Sequence, residues 1–182
     1  MPLVKAVMPS EGGAAVDVVP GNALACANSR LIRAYCAFNP DAKRLCLLVK
    51  RWAKARGVVG APDGHLSSYA HTLTVLHFCL VAGVVQGDLH AAADAAGLPR
   101  VDVDGVDATF LDVSGDANDA ACFGGAAAKP SKSLAALLKR FFAYMTRATT
   151  DAAMARFALS CRARAAGGPR PEDQFRFRAG KG

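Results

Sequence analysis

The sequence has no apolar run long enough to cross a bilayer. The apolar stretch from Leu73 to Val85 is interrupted by His77 and followed by Gln86, whereas a spanning helix needs about 20 apolar residues. The N-terminus does not resemble a signal peptide. We therefore expect a soluble protein without membrane contact, located inside the cell in the cytoplasm or in an organelle.

The six cysteines include no C-x-x-C pair, which is the spacing typical of zinc sites and of thiol redox centres. Each cysteine lies in or near an apolar run, where a free thiol behaves as a small hydrophobic side chain. We therefore interpret the cysteines as reduced core residues and expect neither disulfides nor a cysteine metal site.

Acidic residues are too few to balance the basic ones. The chain has 22 Lys and Arg residues against 15 Asp and Glu residues, which gives a net charge of +7. This balance favours anionic partners such as nucleotides, RNA or acidic lipid, without choosing among them. A hydrophobic content of 52% over 182 residues excludes wholesale disorder and suffices for one domain or slightly more.

The N-terminal segment has the pattern of a β-hairpin. Two apolar stretches, 3–8 and 14–19, each contain a single charged residue. They flank the segment 9–13, which contains Pro, Ser and two glycines, as turns commonly do. The sequence therefore predicts two short antiparallel strands.

Two helices are predicted to follow, separated by a break at 39–41. The first covers 28–38, with Asn28 or Ser29 as its N-cap. The sequence Asn-Pro-Asp at 39–41 is expected to end that helix and to begin the next one.

Apolar residues at helical spacing mark the helices of the core. One stripe recurs at i, i+3, i+4 and i+7 and consists of Leu45, Leu48, Val49 and Trp52. This spacing predicts that Trp52 is a core residue. After a loop at 57–64, Ser67 is a candidate N-cap for a helix that is apolar nearly all round and extends to about Val85.

The second half of the chain is less regularly patterned. A short helix is predicted over 88–96, and the segment 98–130, rich in Asp, Gly and Ala, is interpreted as a loop or variable insertion. Ser131 or Ser133 can cap a further helix that extends to about Arg147.

Acidic residues offer two candidate metal sites. Asp17 stands among valines in the second predicted strand, where an unpaired buried carboxylate would be costly. It therefore lies on a wet face of the hairpin or serves as a metal-binding carboxylate. Asp102 and Asp104 lie in the weakly patterned segment and are interpreted as a solvated loop rather than a metal site.

Basic and hydroxyl side chains offer a candidate anion site. Lys50 and Lys54 share one face of a predicted helix, where their charges repel unless an anion such as a triphosphate lies between them. Ser68 and Tyr69, at the next helix start, offer a hydroxyl, amide donors and a ring on which a base could stack. The alternative is a solvated basic face followed by an ordinary capped helix.

The order of these signals is more specific than any one of them. In chain order they are Val16-Asp17-Val18, Asn22, Asn28 to Tyr35, Asn39-Pro40, Leu48 to Arg56 and Leu66 to Ala70. This series resembles the terminal nucleotidyltransferases of the poly(A) polymerase-like and terminal uridylyltransferase group. The match covers about 2–85. It resumes at 133–144, which looks like the start of the poly(A) polymerase-associated segment, and 172–175 matches that segment faintly.

The resemblance implies an activity and a cofactor. Enzymes of this group add nucleotides to an RNA 3′ end, and three carboxylates of their palm domain hold two Mg²⁺ ions. Asp17 falls on the third carboxylate, which makes it the implied catalytic and metal-binding residue, with Mg²⁺ or Mn²⁺ as cofactor. The implied partners are a nucleoside triphosphate, UTP or ATP, and an RNA 3′ end.

The resemblance also implies a nucleotide site. The residues that fall on nucleotide contacts are Asn22, Asn28, Ser29, Lys50, Lys54, Ser68 and Tyr69. Among these, Lys50 and Lys54 correspond to lysines that bind the triphosphate. Ser68 corresponds to a phosphate contact and Tyr69 to a tyrosine that stacks on the base.

One departure from the family pattern affects activity. In this group a Gly-Ser motif and an Asp-x-Asp pair precede the hairpin, whereas this sequence starts at the hairpin itself. The first two carboxylates are therefore expected to be missing, and the chain is expected to be inactive by itself.

The predicted fold class is α+β and mostly α, with the C-terminal hairpin of a nucleotidyltransferase palm followed by a helical central domain. The expected division is palm at 1–20, central domain at 21–97, variable insertion at 98–130, poly(A) polymerase-associated segment at 131–166 and flexible tail at 167–182. The expected function is that of a partial RNA 3′-terminal nucleotidyltransferase. The alternatives are a non-catalytic nucleotide- or RNA-binding helical module and a plain helical interaction domain.

Overall fold

The structure, a computed structural model, describes residues 4–7, 13, 15–60, 63–85, 87–114 and 133–150. These residues form five α-helices and two two-stranded antiparallel sheets. In chain order the elements are β1 (Val4–Val7), β2 (Ala15–Val18), α1 (Ala23–Phe38), α2 (Pro40–Ala55), α3 (Ser68–Val81), α4 (Leu89–Ala95), β3 (Asp102–Val103), β4 (Val106–Asp107) and α5 (Leu134–Thr150). The predicted α+β, mostly helical class is confirmed. Within the described ranges, no helix is both long and apolar enough to span a membrane.

The predicted N-terminal hairpin is present. β1 pairs antiparallel with β2, and Lys5 lies directly opposite Asp17 in the register. All eight strand residues are exposed, so Asp17 lies on a wet surface beside a cation. That this hairpin belongs to a nucleotidyltransferase palm stays a prediction.

Helix α1 begins earlier than the sequence predicted. Asn22 is its N-cap, and the Asn22 Oδ1 accepts a hydrogen bond from the Ala25 N–H at 2.9 Å. The predicted caps Asn28 and Ser29 lie inside the helix, where the Ser29 hydroxyl donates to the Ala25 carbonyl at 2.8 Å. The prediction of a start at 28 was wrong because the residues from Ala23 onward extend the helix back to Asn22, which can cap it.

The predicted break between α1 and α2 is confirmed. Asn39 has an extended backbone, and its Oδ1 accepts a hydrogen bond from the Asp41 N–H at 2.8 Å, while Pro40 occupies the first helical position. The Asn39 Nδ2 also donates to the Val84 carbonyl at 2.9 Å. One asparagine therefore caps α2 and fixes its N-terminus to the chain that follows α3.

The buried stripe of α2 is shifted from the predicted one. Its buried apolar residues are Ala42, Leu45, Cys46, Val49 and Ala53. Trp52 is 39% exposed, so the prediction that it is a core residue was wrong. A position seven residues after Leu45 falls short of two full helical turns by about 20°. Trp52 therefore lies just outside the buried stripe. Its ring packs in a T-shaped arrangement against the ring of Phe142 of α5, with the two ring centroids 4.8 Å apart.

This position predicts a modest stability effect for Trp52→Ala. We expect the free energy of unfolding to fall by about 1–2 kcal/mol, because part of the ring contributes to packing and one aromatic pair is lost. A fully buried tryptophan would cost about 3–5 kcal/mol. Urea denaturation of Trp52→Ala, Phe142→Ala and the double variant measures both the cost and the coupling. A loss above about 3 kcal/mol would contradict the assigned position.

Helix α3 is the centre of the hydrophobic core. Ser67 caps it as predicted, since its hydroxyl accepts a hydrogen bond from the Ala70 N–H at 3.1 Å. The helix ends at Val81 instead of continuing to Val85. Gly83 has a φ of 67°, and the N–H groups of Gly83 and Val84 bond back to the last turn. This glycine C-cap stops the helix, although the sequence beyond it stays apolar.

The first part of the predicted insertion is structured. β3 and β4 form a tight hairpin whose two central residues, Asp104 and Gly105, have φ values of 55° and 77°. Both positive values fit a type I′ turn, which Asp-Gly favours. Asp102 and Asp104 are exposed, which agrees with the solvated interpretation.

The same segment then packs against the helices. Val113 is 3% exposed within the core, and the Leu111 N–H donates to the Leu89 carbonyl at 2.9 Å. Arg30 of α1 forms an ion pair with Asp112 at 3.1 Å. The described part of this segment, 98–114, is therefore packed against the helices, although most of its residues lie outside helices and strands. The interpretation of 98–130 as a loop or variable insertion stays a prediction. The division of the chain into domains itself stays a prediction.

Two further helices that the sequence predicted are present. Helix α4 confirms the short helix expected near 88–96, and Ser133 caps α5 by accepting a hydrogen bond from the Ala136 N–H at 3.2 Å. The cysteines within the described ranges are free thiols, and Cys46 and Cys79 are buried as predicted, whereas Cys26 is exposed, so the prediction of a core position was wrong for it. Cys122, Cys161, the match at 172–175 and the predicted tail lie outside the described residues.

Candidate functional site

A cleft of about 590 Å³ lies between the C-terminal half of α2 and the start of α3. Its lining residues are Lys50, Arg51, Lys54, Gly57, Val59 and Ser68. The volume falls within the range of roughly 300–1,000 Å³ that is usual for small-molecule sites. The cleft is therefore large enough for a ligand of nucleotide size.

The end of α2 forms one wall of the cleft. Gly57 follows the helix with a φ of 65°, its N–H donates to the Lys54 carbonyl at 3.2 Å, and the Val58 N–H donates to the Ala53 carbonyl at 3.0 Å. This pair of bonds is a Schellman motif, which needs a left-handed residue and therefore favours glycine. The motif turns the chain sharply after Lys54, so that Gly57 and Val59 line the same cleft.

Hydrogen bonds hold the following loop against α3. The Gly60 N–H donates to the Leu66 carbonyl at 3.2 Å, and the His65 N–H donates to the Gly60 carbonyl at 3.0 Å. The His71 Nε2 lies 3.0 Å from the Val58 carbonyl, close enough for a hydrogen bond from the imidazole. These contacts close the loop on itself and bring the start of α3 to the end of α2.

The N-terminus of α3 forms the opposite wall. Ser67 is the N-cap and Ser68 is the first helical residue, with its side chain exposed at the cleft. The first N–H groups of a helix have no intrahelical acceptor, and the helix dipole places about half a positive charge there. A 14-residue helix such as α3 therefore offers donors and a positive potential to an anion in the cleft.

The electrostatics of the cleft are those of an anion site. Lys50, Arg51 and Lys54 are exposed and line it together. Among its described lining residues there is no carboxylate to neutralise them. Three cations beside a helix N-terminus repel one another unless a polyanion occupies the space between them. Guanidinium and ammonium groups both bind phosphate oxygens strongly.

The structure brings together part of the site that the sequence predicted. Lys50, Lys54 and Ser68 line one cleft, although they lie on two helices. Tyr69 is 37% exposed in the first turn of α3 and is not among the lining residues. Arg51 joins the site without having been assigned to it. The sequence signal that could have identified Arg51 is its position between Lys50 and Lys54 on the same helix.

The other predicted residues lie elsewhere in the fold. Asn22 uses its side-chain oxygen to cap α1, and Ser29 bonds to its own helix. Neither these two nor Asn28 is among the residues that line the cleft, and Asp17 lies on the exposed hairpin. Within the described ranges, no three His, Cys, Asp or Glu side chains form a group that could hold a metal ion. The roles given to these residues stay predictions.

Comparison with known proteins gives partial matches. Terminal uridylyltransferase 7 of Homo sapiens is 46% identical over 66 residues, which cover 36% of this chain and 4% of that protein. Poly(A) RNA polymerase GLD2-B of Xenopus laevis is 36% identical over 66 residues, which cover 36% of this chain and 13% of that protein. Terminal uridylyltransferase 3 of Trypanosoma brucei brucei is 36% identical over 59 residues, which cover 32% of this chain and 7% of that protein.

These matches are short relative to the proteins concerned, because the matched stretch covers only 4% to 13% of their lengths. No protein family model matches the chain. The family named by the three relatives is nevertheless the one that the residues indicated. Over about a third of its length, this chain is similar to terminal uridylyltransferases and poly(A) RNA polymerases, which confirms the resemblance.

Proposed function

We propose that this chain is the nucleotide-binding part of an RNA 3′-terminal nucleotidyltransferase. In this proposal the cleft between α2 and α3 binds the triphosphate of the incoming UTP or ATP. One observation carries the proposal. Lys50, Arg51 and Lys54 line the same cleft as the N-terminus of α3, and this cleft is large enough for a nucleotide. The names of the relatives support the same kind of substrate.

The geometry suits the transfer of a nucleotidyl group. When an RNA 3′-hydroxyl attacks the α-phosphate, negative charge accumulates on the departing pyrophosphate. Positive groups that are already in place stabilise that charge without having to reorganise. Lys50 and Lys54 act as point charges on the β- and γ-phosphates, and Arg51 can bind two phosphate oxygens at once. The Ser68 hydroxyl and N–H add neutral donors on the opposite wall.

The metal site of the proposed enzyme would include Asp17. A carboxylate oxygen is a suitable ligand for Mg²⁺ or Mn²⁺, and the exposed position of Asp17 leaves it accessible. Bound metal would activate the attacking hydroxyl and stabilise the leaving group. One carboxylate is too few for a pair of metal ions, so Asp17 would share them with other carboxylates of the enzyme.

A non-catalytic nucleotide- or RNA-binding module remains the second candidate. It would use the same cleft, because binding of a triphosphate needs only the cations and the helix N-terminus. The observation in its favour is that the cleft is lined by three cations and the start of a helix, which can bind a triphosphate without any catalytic group. The two candidates therefore differ in nucleotidyl transfer and agree in binding.

The first test of the cleft compares the affinities of nucleoside triphosphates and nucleoside monophosphates. We expect UTP and ATP to bind the chain at least about tenfold more tightly than UMP and AMP, because each extra charge-assisted hydrogen bond contributes about 1.5–3 kcal/mol. Isothermal titration at low salt measures all four affinities, and inorganic tripolyphosphate should compete with both triphosphates. Equal affinities for the mono- and triphosphates would contradict the assignment of the cleft.

A further inference from the structure

A stripe of four exposed residues runs along α2 from near its N-terminus into the cleft. Its members, spaced i, i+4, i+7 and i+11, are Lys43, Leu47, Lys50 and Lys54. All four side chains are exposed, and Leu47 is 58% exposed. We call this set the α2 stripe. Its last two members line the cleft, whereas Lys43 and Leu47 lie outside it.

The lysines of the α2 stripe form no ion pair with any carboxylate among the described residues. The only acidic residue of α2 is Asp41, which is 2% exposed and forms an ion pair with Arg44 at 3.5 Å. Among the described ion pairs none involves Lys43, Lys50 or Lys54. Within the part of the chain that the structure describes, the stripe therefore presents three ammonium groups that have no carboxylate partner, arranged around one exposed leucine.

The stripe is also open to solvent on the side away from α5. Trp52, which contacts Phe142 of α5, lies about 200° around the helix from both Lys50 and Lys54, at about 100° per residue. Helix α5 therefore covers the side of α2 that is opposite to Lys50 and Lys54. A linear ligand can follow the stripe without displacing α5.

We propose that the α2 stripe binds the backbone of a single-stranded RNA whose end lies at the cleft. This inference rests on the proposed function, which requires an RNA 3′ end near the nucleotide. Lys43 and Lys54 are about 16 Å apart along the helix axis. That distance corresponds to four or five phosphates of a strand with stacked bases, in which successive nucleotides are about 3.4 Å apart. Lys43 binds a backbone phosphate, and Leu47 contacts a ribose or base.

An anionic membrane surface fits this stripe less well than RNA does. A helix that binds in a membrane interface buries a wide apolar face in the lipid. The wide apolar face of α2 is already buried in the protein core, through Leu45, Val49 and Ala53 among others. Leu47 is the one large apolar residue within the stripe. Its surroundings are therefore suited to a flexible polyanion rather than to a bilayer.

The test uses the full chain and separates the stripe from the cleft. Fluorescence anisotropy with a labelled single-stranded oligonucleotide is measured for the wild type, Lys43→Ala, Leu47→Ala and Lys139→Ala at several salt concentrations. Lys139 is the matched control, because it is an exposed lysine on α5. UTP affinity is measured in parallel on the same proteins and on Lys54→Ala.

We expect Lys43→Ala to weaken RNA binding by about fivefold at 0.1 M salt. The slope of log affinity against log salt should fall by about 0.7, since one phosphate contact to a single strand is lost. UTP affinity should stay unchanged, because Lys43 does not line the cleft. Leu47→Ala should weaken RNA binding without changing the salt slope, and Lys139→Ala should change neither quantity.

Three results would each mean something different. If Lys43→Ala leaves the RNA affinity and salt slope unchanged while Lys54→Ala weakens UTP binding, the stripe proposal is overturned and the cleft assignment survives. If Lys54→Ala leaves UTP binding intact, the proposed function itself fails. If Lys43→Ala instead reduces binding to vesicles of phosphatidylserine and phosphatidylcholine, with RNA binding unaffected, the stripe binds lipid.

Discussion

Replacement of both Lys50 and Lys54 by alanine is expected to weaken triphosphate binding by about a hundredfold or more. Each ammonium group makes a charge-assisted contact to phosphate, and the loss of one such contact typically costs about 1.5–3 kcal/mol. Both side chains are exposed, and alanine has the highest helix propensity. The fold should therefore survive the substitution, so that the loss reports on binding.

Matched variants make this result specific. Lys43→Ala/Lys139→Ala removes the same total charge from the chain but leaves the cleft intact, so it should retain triphosphate binding. Lys50→Arg/Lys54→Arg keeps the charge in place and should retain most of the affinity. Circular dichroism confirms that each variant is folded. Unchanged affinity for UTP and ATP in the double alanine variant would show that the cleft is not the triphosphate site.

The 182-residue chain assayed by itself is expected to show no extension of an RNA primer. Asp17 is a single exposed carboxylate on β2. Mg²⁺ bound to one carboxylate keeps most of its waters, so Asp17 cannot position two metal ions. Nucleotidyl transfer depends on those ions to activate the attacking hydroxyl and to neutralise the leaving group. The expected effect is a loss of turnover with nucleotide binding retained.

The assay uses a labelled RNA primer, each nucleoside triphosphate in turn, and Mg²⁺ or Mn²⁺. A version fused to an upstream palm segment that bears the Gly-Ser and Asp-x-Asp motifs is expected to extend the primer, and Asp17→Ala in that version should abolish extension. If the unfused chain extends the primer and Asp17→Ala abolishes that extension, the expectation that this chain cannot position the metal ions by itself is wrong. Further metal-binding carboxylates within this chain would then be sought first at Asp102 and Asp104.

Local signals predicted most of the helix boundaries. Asn39-Pro40 and Ser67 were recognisable as helix starts because a cap depends only on the residues within one turn of it. The same reasoning misplaced the start of α1, since Asn28 and Ser29 can cap a helix but are also tolerated inside one. Several residues near the start of α1 can act as its N-cap. Which of them does so depends on how far towards the N-terminus the helical conformation stays favourable.

The burial of other residues could not be predicted from the sequence, because it depends on tertiary packing. The helical spacing of the apolar residues of α2 cannot decide whether Trp52 is buried, because burial depends on where α5 covers the helix. The segment 98–114 lacks a strong pattern, yet Val113 is buried because neighbouring helices surround it. The Asp104-Gly105 turn, by contrast, has a sequence signal that the interpretation of 98–130 as a loop did not use, since Asp-Gly between two valine-containing pairs is typical of a tight hairpin.

The sequence by itself determined the family resemblance, the helical core and the shared face of Lys50 and Lys54, because each of these depends on residue order and on spacing within one helix. Only the tertiary structure decided which residues meet at the cleft. Ser68 lies on a different helix from the lysines, and its position depends on the turn at Gly57 and on the hydrogen-bonded loop after it. Contacts between elements depend on how whole helices pack, and helical spacing carries no information about that packing.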